Sequence, residues 1–176
     1  MRGKSRPSLK VRAIALLAQR EHSRAELRRK LLARLSADAR ADALAASAVG
    51  ADGAMSESEL PPDPAAVVDE LLDWLEAHDY LSATRFAESR VNARAARFGS
   101  ERIRHELAQH GVTLDPQALH ALKDGELARA RAIWVRKFKS PAPDAAGRAK
   151  QARFLAARGF SSDVIRRVVA GLSGDD

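Results

Sequence analysis

The sequence predicts an all-α fold of three tandem three-helix repeats in an elongated, curved array, with a flexible acidic insertion in the first repeat. Three observations carry this. The dipeptide Asp-Pro occurs at Asp63-Pro64 and again at Asp115-Pro116, each time just before an apolar-faced segment. Asp accepts a backbone N–H at an N-cap, and Pro has a φ already suited to the first helical position, so each dipeptide is a helix start. A third start, Ser161-Ser162-Asp163, precedes Val164-Ile165. Each start follows a basic helix anchored by Leu or Ile, and no segment sustains the alternation of a strand. Stacked units of this kind chiefly form binding surfaces.

The first repeat is placed over residues 8–81. Leu9, Ala13, Leu16 and Leu17 form an i, i+4, i+7, i+8 stripe, and Ser23-Arg24-Ala25-Glu26 has capping-box spacing. In the helix that follows, Leu27, Leu31 and Leu35 form the core stripe. From Ala37 to Pro62 the chain turns to Ala, Asp, Ser and Gly, and a mobile acidic insertion is expected over 37–62, with an Ala-rich start able to hold a helix. Spacing supports an insertion: Leu107 precedes Asp115 by eight positions, whereas Leu31 precedes Asp63 by thirty-two. After Pro64, Val67, Val68, Leu71, Trp74 and Leu75 face one side, and Asp69, Glu70, Asp73 and Glu76 face solvent on the other.

The second repeat is placed over 82–122. Its first helix is expected from Ala83 to Phe98, with Ala87, Val91, Ala95 and Phe98 apolar and Arg90, Arg94 and Arg97 in a parallel basic stripe. Gly99-Ser100 breaks it, Ile103 and Leu107 anchor the next helix, and Gly111 ends that one with a left-handed cap. Asp115-Pro116 opens a short helix through Leu122. The third repeat, 123–173, places Leu127, Ala130, Trp134 and Phe138 on one face with Arg129 and Arg136 opposite. Pro141 and Pro143 separate it from a helix over 145–158, Gly159 repeats the role of Gly111, and Val164, Ile165, Val168, Val169 and Leu172 complete the core.

Charge is segregated along the chain. Up to Leu35 there are eleven Lys/Arg and two Asp/Glu, from Ser36 to Leu81 one and eleven, and from Ser82 onward eighteen and ten. Basic segments flanking an acidic one suggest a polyanionic partner or an acidic protein groove, the alternative being a merely solvated Arg-rich surface. The absence of Cys removes disulfides and thiol chemistry and fits a reducing compartment. No stretch approaches the roughly 20 apolar residues of a membrane span, and Arg12 interrupts the one run that faintly imitates a signal peptide.

No enzymatic motif emerges. His105 and His110 imitate a zincin pair but are five apart, which rotates the second ring by about 140° on a regular helix. The chain has no Gly-rich phosphate loop and no Gly-x-Ser-x-Gly. Neither a cofactor nor a metal site is expected. Trp74, Phe98, Trp134 and Phe138 fall on apolar stripes and read as core, while Phe154 and Tyr80 lie off them and are candidates for partner contact.

The stretch His78-Asp79-Tyr80-Leu81-Ser82-Ala83-Thr84-Arg85-Phe86-Ala87, then Arg97-Phe98-Gly99-Ser100 and Gly111-Val112, resembles the RecX family of recombinase regulators. Arg158-Gly159-Phe160-Ser161 resembles its closing repeat, and Ser23-Arg24-Ala25-Glu26-Leu27 its opening one. Asp79 stands where that family has Gly, and Ser82-Ala83 where it has two Asp. The resemblance implies a cytoplasmic bacterial protein that binds the RecA recombinase and its single-stranded DNA filament, mostly inhibiting it in recombination, repair and the SOS response. It implies no cofactor, and action as a monomer is expected. Candidate contacts to filament or nucleic acid are Arg24, Arg28, Arg29, Lys30 and Arg34, then Arg90, Arg94, Arg97, Arg102 and Arg104, then Arg136, Lys137, Lys139, Lys150, Arg153 and Arg158. Two other readings stay open, a sequence-nonspecific DNA- or RNA-binding helical module and a helical scaffold unrelated to nucleic acid. The single Asn, Asn92, argues against base-edge readout.

Overall fold

The computed structural model describes residues 6–49 and 63–171, and every described element is helical. The helices are α1 Leu9–Leu17, α2 Arg24–Val49, α3 Pro64–Ala77, α4 Ala83–Ala95, α5 Ser100–Gln109, α6 Pro116–Asp124, α7 Glu126–Phe138, α8 Ala145–Ala156 and α9 Ser162–Val169. The chain divides into two compact units, one up to Ala83 and one from Thr84.

Side-chain caps fix the starts. Asp63 accepts from Ala65 N at 3.0 Å, Asp115 from Ala118 N at 2.8 Å, and Ser23 Oγ from Glu26 N at 3.1 Å. The ends are set by left-handed residues: Gly111 has φ 70, Gly159 φ 75 and Asp79 φ 57. Asp enters that region more readily than most residues, which lets Asp79 end α3 without a glycine.

In the first unit Ala13, Leu27, Leu31, Val68, Leu72, Leu75 and Leu81 are buried together. The stripe expected on α3 is therefore turned: Leu72 is fully buried, whereas Val67 is 37% exposed. The expected solvent face of α3 is also occupied. Arg28 donates to both oxygens of Asp69, at 2.7 and 2.8 Å, and Arg24 reaches Asp73 and Glu76, each at 2.7 Å. The Ala-rich start of the 37–62 segment holds a helix, as its composition allowed. α2 continues to Val49, because its Ala-rich sequence has high helix propensity and Arg12 and Arg6 pair with Asp38 and Asp42. Residues 50–62 lie outside the described part.

Glu26, at the start of α2, is almost fully buried beside His22, itself 1% exposed. His22 Nδ1 is 3.2 Å from Glu26 Oε1 but out of line for a hydrogen bond. Burial raises the Glu26 pKa, yet the hydrogen bond from Arg20 and the neighbouring positive charge prevail and hold it at about 2. Burial, reinforced by Arg20, pushes His22 below its usual 6.5. Both depressed groups add stability that is complete above their unfolded values and is lost as pH falls. Unfolding of the first unit by urea, followed through Trp74 fluorescence in a Trp134→Phe background, is expected to become easier below pH 6.5, and again between about 4.5 and 2. A denaturation midpoint that holds steady from pH 7.5 to 5 would reject the account of His22.

The second unit contains two apolar clusters. Phe86, Ala87, Ile103, Leu107, Val112 and Leu122 form one. Ala130, Ile133, Trp134, Leu155, Phe160, Val168 and Val169 form the other. α4 stops at Ala95, short of the expected Phe98, and its most buried residues are Phe86 and Ala87. Glu126, 2% exposed, joins the clusters. One of its carboxylate oxygens accepts from Ser100 N at 2.8 Å, Ser100 Oγ at 2.9 Å and Ser161 N at 3.4 Å; the other accepts from Ser161 Oγ at 3.1 Å. Ser161 thus starts α9 by position, but its hydroxyl serves Glu126 and does not cap the helix. Backbone bonds from Gly99 N to Arg158 O, at 2.9 Å, and from Glu101 N to Gly159 O, at 3.1 Å, complete the junction.

Candidate functional site

This junction sets the end of α4 and the start of α5 against the ends of α7 and α8. Between them lies a cleft of about 570 Å³, lined by Arg97, Phe98, Arg102, Ile133, Arg136, Lys137, Phe154, Ala157 and Arg158. Five cations converge there, and none of the lining residues carries a carboxylate. The local sequence explains the placement. Arg97-Phe98 follow the last turn of α4, where Phe98 N bonds back to Arg94 O, and Arg136-Lys137 occupy the last turn of α7, where cations offset the exposed carbonyls.

Two of the cations are held in place. Arg158 donates to Phe154 O at 3.1 Å with its guanidinium carbon 3.7 Å from the Phe154 ring centre. Arg102 donates to Ala157 O at 3.3 Å and lies 4.4 Å from the Phe98 ring centre. Lys137 Nζ stands 4.8 Å from the Phe154 ring centre. Phe154 meets Phe138 edge to face at 5.1 Å, so it is half inside the core and half in the cleft.

The remaining candidates are dispersed. Arg94 pairs with Glu106 at 3.0 Å, and Arg104 with Glu101 at 3.0 Å. Arg90 lies 3.2 Å from His110 Nε2 and over the Phe86 ring. In the first unit Arg24 and Arg28 are committed to α3, and Lys30 is 3.4 Å from Glu26. Lys30 and Arg34 edge a shallow groove of about 360 Å³ floored by Leu16 and Leu31. Arg29, Lys150 and Arg153 are exposed on α2 and α8. Lys139, with φ 65, ends α7 beside a smaller pocket. Arg129, expected opposite the apolar face, turns inward to donate to Leu122 O, and burial lowers its pKa.

Sequence reasoning assigned Phe98 to the core alone, although the ring also lines the cleft. It did single out Phe154, which lay off the apolar stripe. Among the described residues no cluster of His, Asp and Glu suited to a metal ion occurs, and no helix is long and apolar enough to cross a membrane.

Comparison with known proteins places this architecture. Residues 84–115 match the family model for the second three-helix domain of RecX, and residues 124–169 match that for the third. The chain is 44% identical to the regulatory protein RecX of Ralstonia nicotianae over 166 residues, covering 93% of this chain and 87% of the relative. It is 41% identical to the protein of the same name from Herbaspirillum seropedicae over 175 residues, covering 96% and 95%. The crystal structure of RecX from Lactobacillus salivarius aligns over 93% of this chain and 94% of that one with a TM-score of 0.61, at 16% identity. This last likeness concerns the fold alone.

Proposed function

The chain belongs to the RecX family of regulatory proteins, and from that premise we propose that it binds the RecA recombinase filament on single-stranded DNA and restrains its activity. The basic cleft of the second unit is the observation that carries this reading. Arg102 also reaches Glu106 at 3.4 Å, but Arg97, Arg136, Lys137 and Arg158 have no carboxylate among the lining residues and are free to neutralise phosphates. Release of condensed counterions then drives association without reading sequence. The paired cations of the first unit gain less, because a phosphate must compete with Asp69, Asp73 and Glu76. Nothing lining the cleft supplies a general base or nucleophile at neutral pH, so the site acts by occupancy.

The test adds purified protein, at substoichiometric ratios, to RecA filaments on single-stranded DNA with ATP, and follows ATP hydrolysis and strand exchange. Both are expected to slow. No inhibition and no filament binding would sink the reading, and binding to DNA alone, without effect on the recombinase, would favour the nonspecific nucleic-acid module.

A further inference from the structure

We propose that the cleft seats an unstacked base of a single strand against its two phenyl rings, and that the protein thereby distinguishes single strands from duplex. This rests on reading the cleft as a nucleic-acid contact. A surface adapted only to phosphates needs cations and has no use for rings. Here one ring enters from each side, Phe98 from the end of α4 and Phe154 from α8, and both are only half-buried.

Each ring is paired with a flat guanidinium, Arg102 over Phe98 and Arg158 over Phe154. Both guanidinium groups are tethered at the C-terminal end of α8, through Ala157 O and Phe154 O, where the carbonyl dipoles hold a cation in place. Such ring and guanidinium planes are the surfaces on which unstacked bases pack. One planar base can stack on a guanidinium, or can displace it from the ring as that Arg swings toward the adjoining phosphate. Arg97 and Arg136 meet the strand's backbone from the same cleft. In a duplex the base faces are already covered by neighbouring base pairs, so only the phosphate contacts remain.

The test uses the full chain without recombinase and measures binding by fluorescence anisotropy to three probes of equal length. They are a thymidine oligonucleotide, an abasic strand with the same phosphates, and a duplex. The thymidine strand is expected to bind about fivefold to a hundredfold more tightly than the abasic one, the range for one stacked base. Phe154→Leu keeps an apolar side chain against Phe138 but removes the π-face. It is expected to weaken thymidine binding more than abasic binding and so close most of that gap, with Phe154→Trp restoring it. Arg136→Gln is expected to weaken all three probes alike.

Equal affinity of the parent protein for thymidine and abasic strands would overturn the proposal without reference to any variant. An undiminished gap in a folded Phe98→Leu/Phe154→Leu protein would also overturn it. Filament inhibition that persisted beside equal affinities would leave the regulatory reading intact, so the two failures are distinguishable.

Discussion

Gly99→Ala is expected to destabilise the second unit severely. Gly99 has φ −78 and ψ 168, an extended conformation open to any residue, so its requirement is one of space. A Cβ there would stand 2.2 Å from Gly159 O and 2.4 Å from both Gly159 C and Phe160 Cα. All three are backbone atoms, which cannot rotate aside as a side chain can. Gly159 is fixed in turn by φ 75 and by the bond from Glu101 N to its carbonyl. Relief would pull the two helix junctions apart, straining the hydrogen bonds of Ser100 and Ser161 to buried Glu126. A cost of about 3 kcal/mol or more follows from over-packing combined with disruption of a buried polar junction. For a unit of this size the thermal midpoint, read from Trp134 fluorescence, should fall by roughly 12 to 24 °C. Gly111→Ala supplies the contrast. No atom would lie within 4 Å of its Cβ, and only the left-handed φ of 70 is strained, costing about 1 kcal/mol. A Gly99→Ala midpoint no lower than that of Gly111→Ala would refute the close-approach account.

The same glycine shows where sequence reading stops. Gly99-Ser100 is legible as a break between helices, but the partner that makes glycine necessary, Gly159, is sixty residues away and meets it only through tertiary packing. The Asp63 and Asp115 caps were readable because capping is local, confined to an Asp and a backbone N–H two or three residues on. The rotation of α3 was not, since Leu71 and Leu72 both fit an apolar stripe and only the neighbouring helices choose Leu72. Glu126 gave no usable sign. A Glu in the first turn of a helix is ordinarily solvated, and the four donors that bury it come from Ser100 and Ser161. Counting from Leu31 to Asp63 suggested an insertion over 37–62, and the Ala-rich start of that segment satisfies helix propensity and continues α2 to Val49. In the cleft, each cation was visible as a basic residue. Their convergence was not, because Arg97 and Arg102 come from one three-helix module and Arg136, Lys137 and Arg158 from the next.

That convergence separates cations that look alike in sequence. Arg90, Arg94 and Arg97 share one stripe by spacing, yet Arg94 is paired with Glu106, Arg90 packs against His110 and Phe86, and Arg97 alone of the three lines the cleft. Reversing Arg97, Arg136 and Lys137 to Glu together is therefore expected to reduce affinity for single-stranded DNA steeply at low salt. The log–log dependence of affinity on salt should flatten by about 2 to 3, the loss of roughly three phosphate contacts. The companion variant, Arg24→Gln/Arg28→Gln, removes two cations from the first unit but should leave that slope nearly unchanged, because carboxylates on α3 already neutralise them. Arg94→Glu should likewise alter the slope less than Arg97→Glu, since its charge is already balanced by Glu106. Titrating each variant at salt concentrations from 50 to 200 mM checks the set. If the Arg24 and Arg28 variant flattened the slope while the cleft triple did not, the phosphate contact would belong to α2, and the cleft would lose its place as the binding surface.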